Sequence, residues 1–258
     1  PFSEAYKKRT SHGMILAKNG EKMSKTRGNV INPDDIVKNY GADTLRLYEM
    51  FMGPFDQAIS WNEENIIGVR RFLEKVWRVS KKINNSPKPP LILRGGSKEP
   101  LSNNKNQQNQ NLKLESLLHK TIKKISEDIE EMNFNTAISS MMILVNEMES
   151  ALTENYSGIK SASAQSYGVT KTNFEMFLKI LSPFAPHITE EIWSNFGNKK
   201  LLSLENWPKY DPKKILEEKV VYVIQVNGKV RAQFESQKGL SEDEAVKLAI
   251  NKDEIKKW

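Results

Sequence analysis

The stretch Lys22-Met23-Ser24-Lys25-Thr26-Arg27-Gly28-Asn29 concentrates three cations and a serine hydroxyl ahead of a glycine. Glycine permits a tight turn, and ammonium groups on long stems can close on phosphate oxygens. Displacement at phosphorus mainly needs positioned positive charge, because charge develops on the phosphate oxygens and the leaving group. A Lys-x-x-Lys loop supplies that charge, although by composition alone any basic surface turn looks similar. Two further sets of cations stand out. Arg70, Arg71, Lys75 and Arg78 fall on one face of a predicted helix, and Lys229 and Arg231 alternate onto one face of a predicted strand. Each set fits two readings, contact with the phosphates of a nucleic acid or a solvated face. His12, His119 and His187 share no metal-ligand spacing with Asp or Glu. Trp61, Trp77, Trp193 and Trp207 read as helix packing rather than base-stacking platforms. Met132, Met141, Met142 and Met148, at helical spacing, read as core.

The elements that would position these groups are legible along the chain. Met14–Ala17 is a predicted short strand, and Asn19-Gly20 a turn into the basic loop. Asn32 then caps a helix with Pro33 at its first position and Asp34 and Asp35 in its first turn. Gly41 stops that helix, and Asp43 is expected to cap a second, carrying Leu45, Tyr48 and Met52 and ended by Gly53-Pro54. A longer amphipathic helix runs from about Glu63 to Lys82. Residues 84–111 are rich in Pro, Gly, Asn and Gln and read as an exposed, disordered insertion. Two long helices follow, with stripes Leu114, Leu117/Leu118, Ile122, Ile125, Ile129, Met132 and then Ile138, Met141/Met142, Val145, Met148. After a small-residue loop at Ser157–Gly168, Phe174–Leu181 forms a helix broken by Ser182–Pro186, and another helix continues to about Phe196. This is the pattern of an antiparallel helical bundle. The tail changes class. Val220–Val226 and Lys229–Glu235 flank Asn227-Gly228 as a β-hairpin, and Ser241–Glu244 is a capping box that opens a helix.

The whole chain has 258 residues with 39 Lys+Arg against 32 Asp+Glu, a formal charge of +7. A hydrophobic content of 38% excludes a wholly disordered chain. No apolar run approaches the roughly 18 residues needed to span a bilayer, so no membrane partner is expected. The absence of cysteine excludes disulfides and fits a reducing, cytoplasmic setting. The basic balance favours a polyanionic partner. Glu4, Lys7, Lys8 and Arg9 stand where a leader would be apolar, and the chain stops at Trp258 within a helical pattern, which reads as a piece of something longer.

Lys22–Thr26, followed by Pro33-Asp34-Asp35 and Gly41-Ala42-Asp43, resembles the second signature of class I aminoacyl-tRNA synthetases. Thr26 stands where that signature usually ends in Ser, and keeps a hydroxyl. Three later features resemble the bacterial-type leucyl branch: Phe134-Asn135-Thr136-Ala137-Ile138, Pro183-Phe184-Ala185-Pro186-His187 with Trp193, and Gln225-Val226-Asn227-Gly228-Lys229-Val230-Arg231. The resemblance implies leucyl-adenylate formation from leucine and ATP, then transfer of leucyl to the 3′ end of tRNA(Leu). It makes Lys25 the residue that stabilises the triphosphate and departing pyrophosphate, with Lys22 assisting. Met23, Ser24 and Thr26 would complete the ATP-binding loop, and Mg2+ is expected with ATP, with no metal site in this chain.

The implied fold is mainly α. Residues 1–60 would be the end of a Rossmann-type catalytic domain with the stem-contact helices. Residues 61–216 would be an anticodon-binding-type bundle, and 217–258 the start of a small α/β tRNA-binding domain. The family's first signature, His-x-Gly-His, has no counterpart here, so the leucine pocket, most of the nucleotide sheet and the editing domain would lie in a missing N-terminal portion. The chain is then expected to be inactive alone. A stand-alone tRNA-binding module, a subunit of a split synthetase, and a sister enzyme for Ile, Val or Met remain as alternatives.

Overall fold

A computed structural model describes residues 6, 8–85, 105–154, 169–215, 219–226, 229–237 and 241–251. The chain divides into two compact units, Pro1–Lys214 and Ile215–Trp258.

The first unit begins with two very short parallel strands. β1 (Ile15–Leu16) pairs with β2 (Ile59–Ser60), Ile15 opposite Ile59. A parallel pair needs a crossover connection, and here it contains α1 (Pro33–Tyr40) and α2 (Ala42–Phe51). Asn32 caps α1 as its sequence predicts, its side chain accepting from the Asp34 N–H at 3.2 Å with Pro33 first in the helix. Gly41, at φ +91°, makes the break between the two helices.

Asp43 does not cap its own helix. Its carboxylate accepts the backbone N–H groups of His187, at 3.3 Å, and Ile188, at 2.7 Å. Those are the first turn of α7 (Pro186–Asn195), whose own preceding residue, Ala185, has no side-chain acceptor. The cap is supplied from another helix because an Ala-Pro start leaves its orphan N–H groups unsatisfied.

α3 (Ile66–Asn84), α4 (Lys105–Glu130), α5 (Phe134–Glu154), α6 (Lys171–Leu181) and α7 build the bundle. α3 and α5 run side by side in the same direction, because Lys75 meets Asn146, Arg78 meets Glu149 and Lys82 meets Thr153. Val69, Val76, Leu118, Ile122, Met141, Met148, Phe174 and Phe177 are buried in one cluster with Leu47, Tyr48 and Trp61. Each such fully buried apolar side chain contributes roughly 1.5–3 kcal/mol.

Two expectations change here. α4 begins at Lys105, so the Asn/Gln-rich run is helical over 105–111 and the insertion ends earlier; residues 86–104 lie outside the described residues, as does the loop predicted at Ser157–Gly168. Met132 is not part of the core stripe. It sits at φ +63° in the turn that reverses α4 into α5, where the Asn133 N–H reaches the Asp128 carbonyl at 2.7 Å.

The second unit holds the antiparallel pair β3 (Lys219–Val226) and β4 (Lys229–Gln237), then α8 (Glu242–Ile250). Val226 faces Lys229, the register of a two-residue connection; Asn227-Gly228 itself lies outside the described residues. Ser241 and Glu244 form the predicted capping box.

Candidate functional site

The chain leaves β1 through a reversal in which the Gly20 N–H donates to the Ala17 carbonyl and the Ala17 N–H to the Glu21 carbonyl, both at 2.8 Å. That returns Lys22 beside Leu16 in an antiparallel bridge. Met23 then packs half-buried against the core cluster and anchors the loop. Lys25–Arg27 form one 3-10 turn, with the Arg27 N–H on the Ser24 carbonyl at 3.1 Å and the Gly28 N–H on the Lys25 carbonyl at 3.2 Å. Gly28 closes it at φ +63°, a conformation glycine adopts without strain. Asn29 reaches back across the loop: its Oδ1 accepts the Ser24 N–H at 2.7 Å and its Nδ2 donates to the Lys22 carbonyl at 3.3 Å.

Lys22 and Lys25 are exposed, and neither has a carboxylate at ion-pair distance among the described residues. Arg27, the third cation, is different. It pairs with Glu21 at 3.2 Å, both side chains more than half exposed, an interaction worth at most about 1 kcal/mol. Thr26 is exposed on the turn, and Ser24 is half-buried at its root. The arrangement is an ordered backbone that presents two unpaired ammonium groups from neighbouring positions. It can neutralise a polyphosphate.

The base of the loop is braced by the strand pair. The Trp61 N–H donates to the Leu16 carbonyl at 2.8 Å, and the Gly13 N–H to the Phe55 carbonyl at 2.7 Å. A Cβ on Gly13 would stand 1.8 Å from the Gln57 carbonyl oxygen, so only glycine fits. Buried Tyr48 donates its hydroxyl to the Asn62 carbonyl at 2.6 Å and holds the chain just after β2; burial pushes its pKa up.

The structure does not bring the α3 cations to the loop as free charges. Arg70 bonds the Glu74 carboxylate at 3.0 Å and the Tyr40 carbonyl at 2.7 Å. Lys75 and Arg78 share Glu149 of α5, at 3.4 and 3.2 Å. Arg71 is exposed and has no partner among the described residues. Arg70 and Arg78 line a surface cavity of about 820 Å3 together with Trp77, Asp43 and His187. His187 Nδ1 lies 2.7 Å from the Asp43 carboxylate. Trp61 and Trp193 are packed as expected, the latter donating its indole N–H to the Lys200 carbonyl at 3.0 Å. Trp207 is 39% exposed, held at its edge by Ser126.

In the second unit, Ile224 pairs with Ala232 but Gln225 with Val230, which makes Arg231 the extra residue of a β-bulge. The bulge interrupts the alternation between Lys229 and Arg231, so their spacing does not by itself place them on one face.

A strap after α7 crosses α4. The Trp207 indole donates to Ser126 at 2.8 Å, the Asp211 N–H to His119 Nδ1 at 3.1 Å, and Lys214 pairs with Glu115 at 2.7 Å. Burial, reinforced by the Lys214 charge, holds the His119 pKa below its ordinary 6.5. The sequence did not flag Asn29, Asp43 or Glu149 for these roles. Only Asn29 carried a local signal, the Gly-Asn that ends the basic stretch.

Residues 2–62 match the family of class I tRNA synthetases (I, L, M and V), and residues 111–247 match the anticodon-binding domain of tRNA ligase. LeuRS (agnB2) of Agrobacterium radiobacter K84, solved as a ternary complex with tRNA and LeuAMS, is 25% identical over 95% of this chain, with a TM-score of 0.67. The match covers 29% of that LeuRS, so the chain spans less than a third of its length. Mycobacterium tuberculosis methionyl-tRNA synthetase, in complex with methionyl-adenylate, shares 16% identity over 70% of this chain and 36% of its own, at a TM-score of 0.52, and supports the fold alone. With the anticodon-binding domain matching more than half of its length and the class I signature loop built on its first strand, this chain belongs to the class I aminoacyl-tRNA synthetase family and is LeuRS-like.

Proposed function

We propose that this chain supplies the ATP-phosphate loop and tRNA-contacting domains of a leucine–tRNA ligase. In this reading it acts in the cytoplasm with the catalytic and editing portion of the LeuRS architecture that the chain does not span. The observation that carries the proposal is the pair of exposed ammonium groups, Lys22 and Lys25, on a loop whose backbone is fixed by its own hydrogen bonds.

In adenylation the leucine carboxylate attacks the α-phosphorus of ATP and pyrophosphate leaves. Negative charge grows on the departing phosphates, and Lys25, with Lys22, neutralises it. Met23 and Ser24 hold the loop, and the Thr26 hydroxyl lies on the same turn. Magnesium bound to the nucleotide would shield its phosphates. In this reading the chain acts on the triphosphate through the exposed ammonium groups of Lys22 and Lys25.

tRNA(Leu) is the proposed macromolecular partner. Arg71 is the strongest α3 contact, since Arg70, Lys75 and Arg78 have carboxylate partners; Lys229 and Arg231 serve on the hairpin. The experiment is tRNA leucylation by this chain with and without the complementary catalytic portion. The expected result is leucylation only by the combination. Charging with another amino acid in place of leucine, or leucylation by this chain alone, overturns the proposal.

A further inference from the structure

We propose that Asn29 is the positioning residue of the phosphate loop, the group that sets where Lys22 and Lys25 stand relative to each other. The inference rests on the ATP-phosphate reading above. One side-chain amide binds two points of the loop root at once, the Ser24 N–H through Oδ1 at 2.7 Å and the Lys22 carbonyl through Nδ2 at 3.3 Å. The residues between, Lys25–Arg27, form a 3-10 turn that begins at the Ser24 carbonyl and ends at Gly28. Asn29 therefore closes a ring of backbone that starts at one lysine and contains the other.

The loop has two other restraints. Met23 fixes its depth against the core, and the Arg27–Glu21 ion pair is exposed and screened by solvent. The ion pair ties Arg27 of the turn to Glu21, the residue before Lys22, through two side chains more than half exposed, whereas the Asn29 amide binds the Lys22 and Ser24 backbone directly. The Asn29 side chain makes both of its bonds to backbone, so its effect on chemistry passes through the lysines. A displacement of about 1 Å in a charge-stabilising group can cost on the order of 100-fold in rate.

Asparagine alone combines the required donor and acceptor at this length. Aspartate keeps the acceptor for Ser24 but loses the donor to Lys22 and adds a negative charge beside the phosphates.

The test is leucine-dependent ATP–pyrophosphate exchange in the holoenzyme for Asn29→Ala, Asn29→Asp and Lys25→Ala, with melting temperature measured on each. Asn29→Ala is expected to lower kcat by about 10–30-fold, with KM for leucine unchanged and melting within about 2 °C of the parent. Asn29→Asp should fall at least as far. A kcat within twofold of the parent for Asn29→Ala, while Lys25→Ala is strongly impaired, overturns the positioning role and leaves the proposed function standing. A loss in Asn29→Ala matched by a melting drop of more than about 5 °C and a changed KM for leucine also overturns it, because it marks a structural role. Full exchange in Lys25→Ala, or none in the parent, overturns the underlying reading instead.

Discussion

In the Lys22–Asn29 loop the Asn29 side chain binds the Ser24 N–H and the Lys22 carbonyl, and the ammonium groups of Lys22 and Lys25 are left to solvent. Along α3 the cations Arg70, Lys75 and Arg78 are bound to Glu74, Glu149 and the Tyr40 carbonyl. The residue types are the same, and so is their density along the chain. The difference lies in the acids that the fold brings beside them. Glu74 is one helical turn away and visible in the sequence, whereas Glu149 arrives from α5. A basic stripe thus becomes part of helix packing in one region and stays available in the other. The bundle applies the same rule to Asp43 and His119, whose polar atoms are used between elements rather than offered to a ligand.

The sharpest way to break this contrast is to remove one charge from each side. Lys25→Ala should lower leucine-dependent exchange in the holoenzyme by about 100-fold without changing the melting temperature, since one charge-stabilising donor is worth roughly that factor. Arg78→Ala, read in the same assay, should stay within about threefold of the parent. An equal loss in both would erase the distinction.

Asp43→Ala should act in the opposite sense, on stability. It leaves two N–H groups at the start of α7 without their acceptor, a loss of about 1–2 kcal/mol, and melting should fall by about 4 °C. Asp43→Asn, which keeps an acceptor oxygen, should recover part of that.

His119 gives the contrast a pH dependence. Burial, then the Lys214 charge, lowers its pKa from 6.5, so the unfolded chain takes the proton more readily. Its contribution to stability is fully present above pH 6.5 and is lost as pH falls through the lowered folded value. Hydrogen exchange at the Asp211 amide, corrected for intrinsic rate, should quicken on acidification. His119→Gln, whose side-chain amide oxygen does not titrate near pH 6, should flatten that response.

The smallest effect concerns tRNA. Arg71→Ala should reduce the salt slope of tRNA binding by about one charge, and Arg78→Ala by less, because Glu149 already neutralises it. Equal slopes for the two would show that the ion pair opens when tRNA binds.

Local signals carried most of the fold. The Asn32-Pro33 start, the Ser241–Glu244 capping box and the apolar stripe of α5 are each complete within a few turns of chain, and each element formed where its residues predict. What was not legible depends on distant partners. Asp43 reads as a cap for α2 because its neighbours look like a helix start; its use at α7 depends on a residue 144 positions away. The α3 cations read as free because Glu149 is 71 positions from Arg78. Met132 fits the period of α4 and yet turns the chain, since the reversal into α5 needs one residue at positive φ. The loop was legible as a motif, but its staple at Asn29 was not, because a Gly-Asn pair alone does not say which backbone groups the amide will reach.

The most direct test of the account is the amino-acid dependence of ATP–pyrophosphate exchange by the holoenzyme, assayed in parallel with leucine, isoleucine, valine and methionine. Exchange should be driven by leucine and lost when Lys25 becomes alanine. Exchange driven by another of these amino acids, or by leucine with undiminished rate in Lys25→Ala, would contradict it.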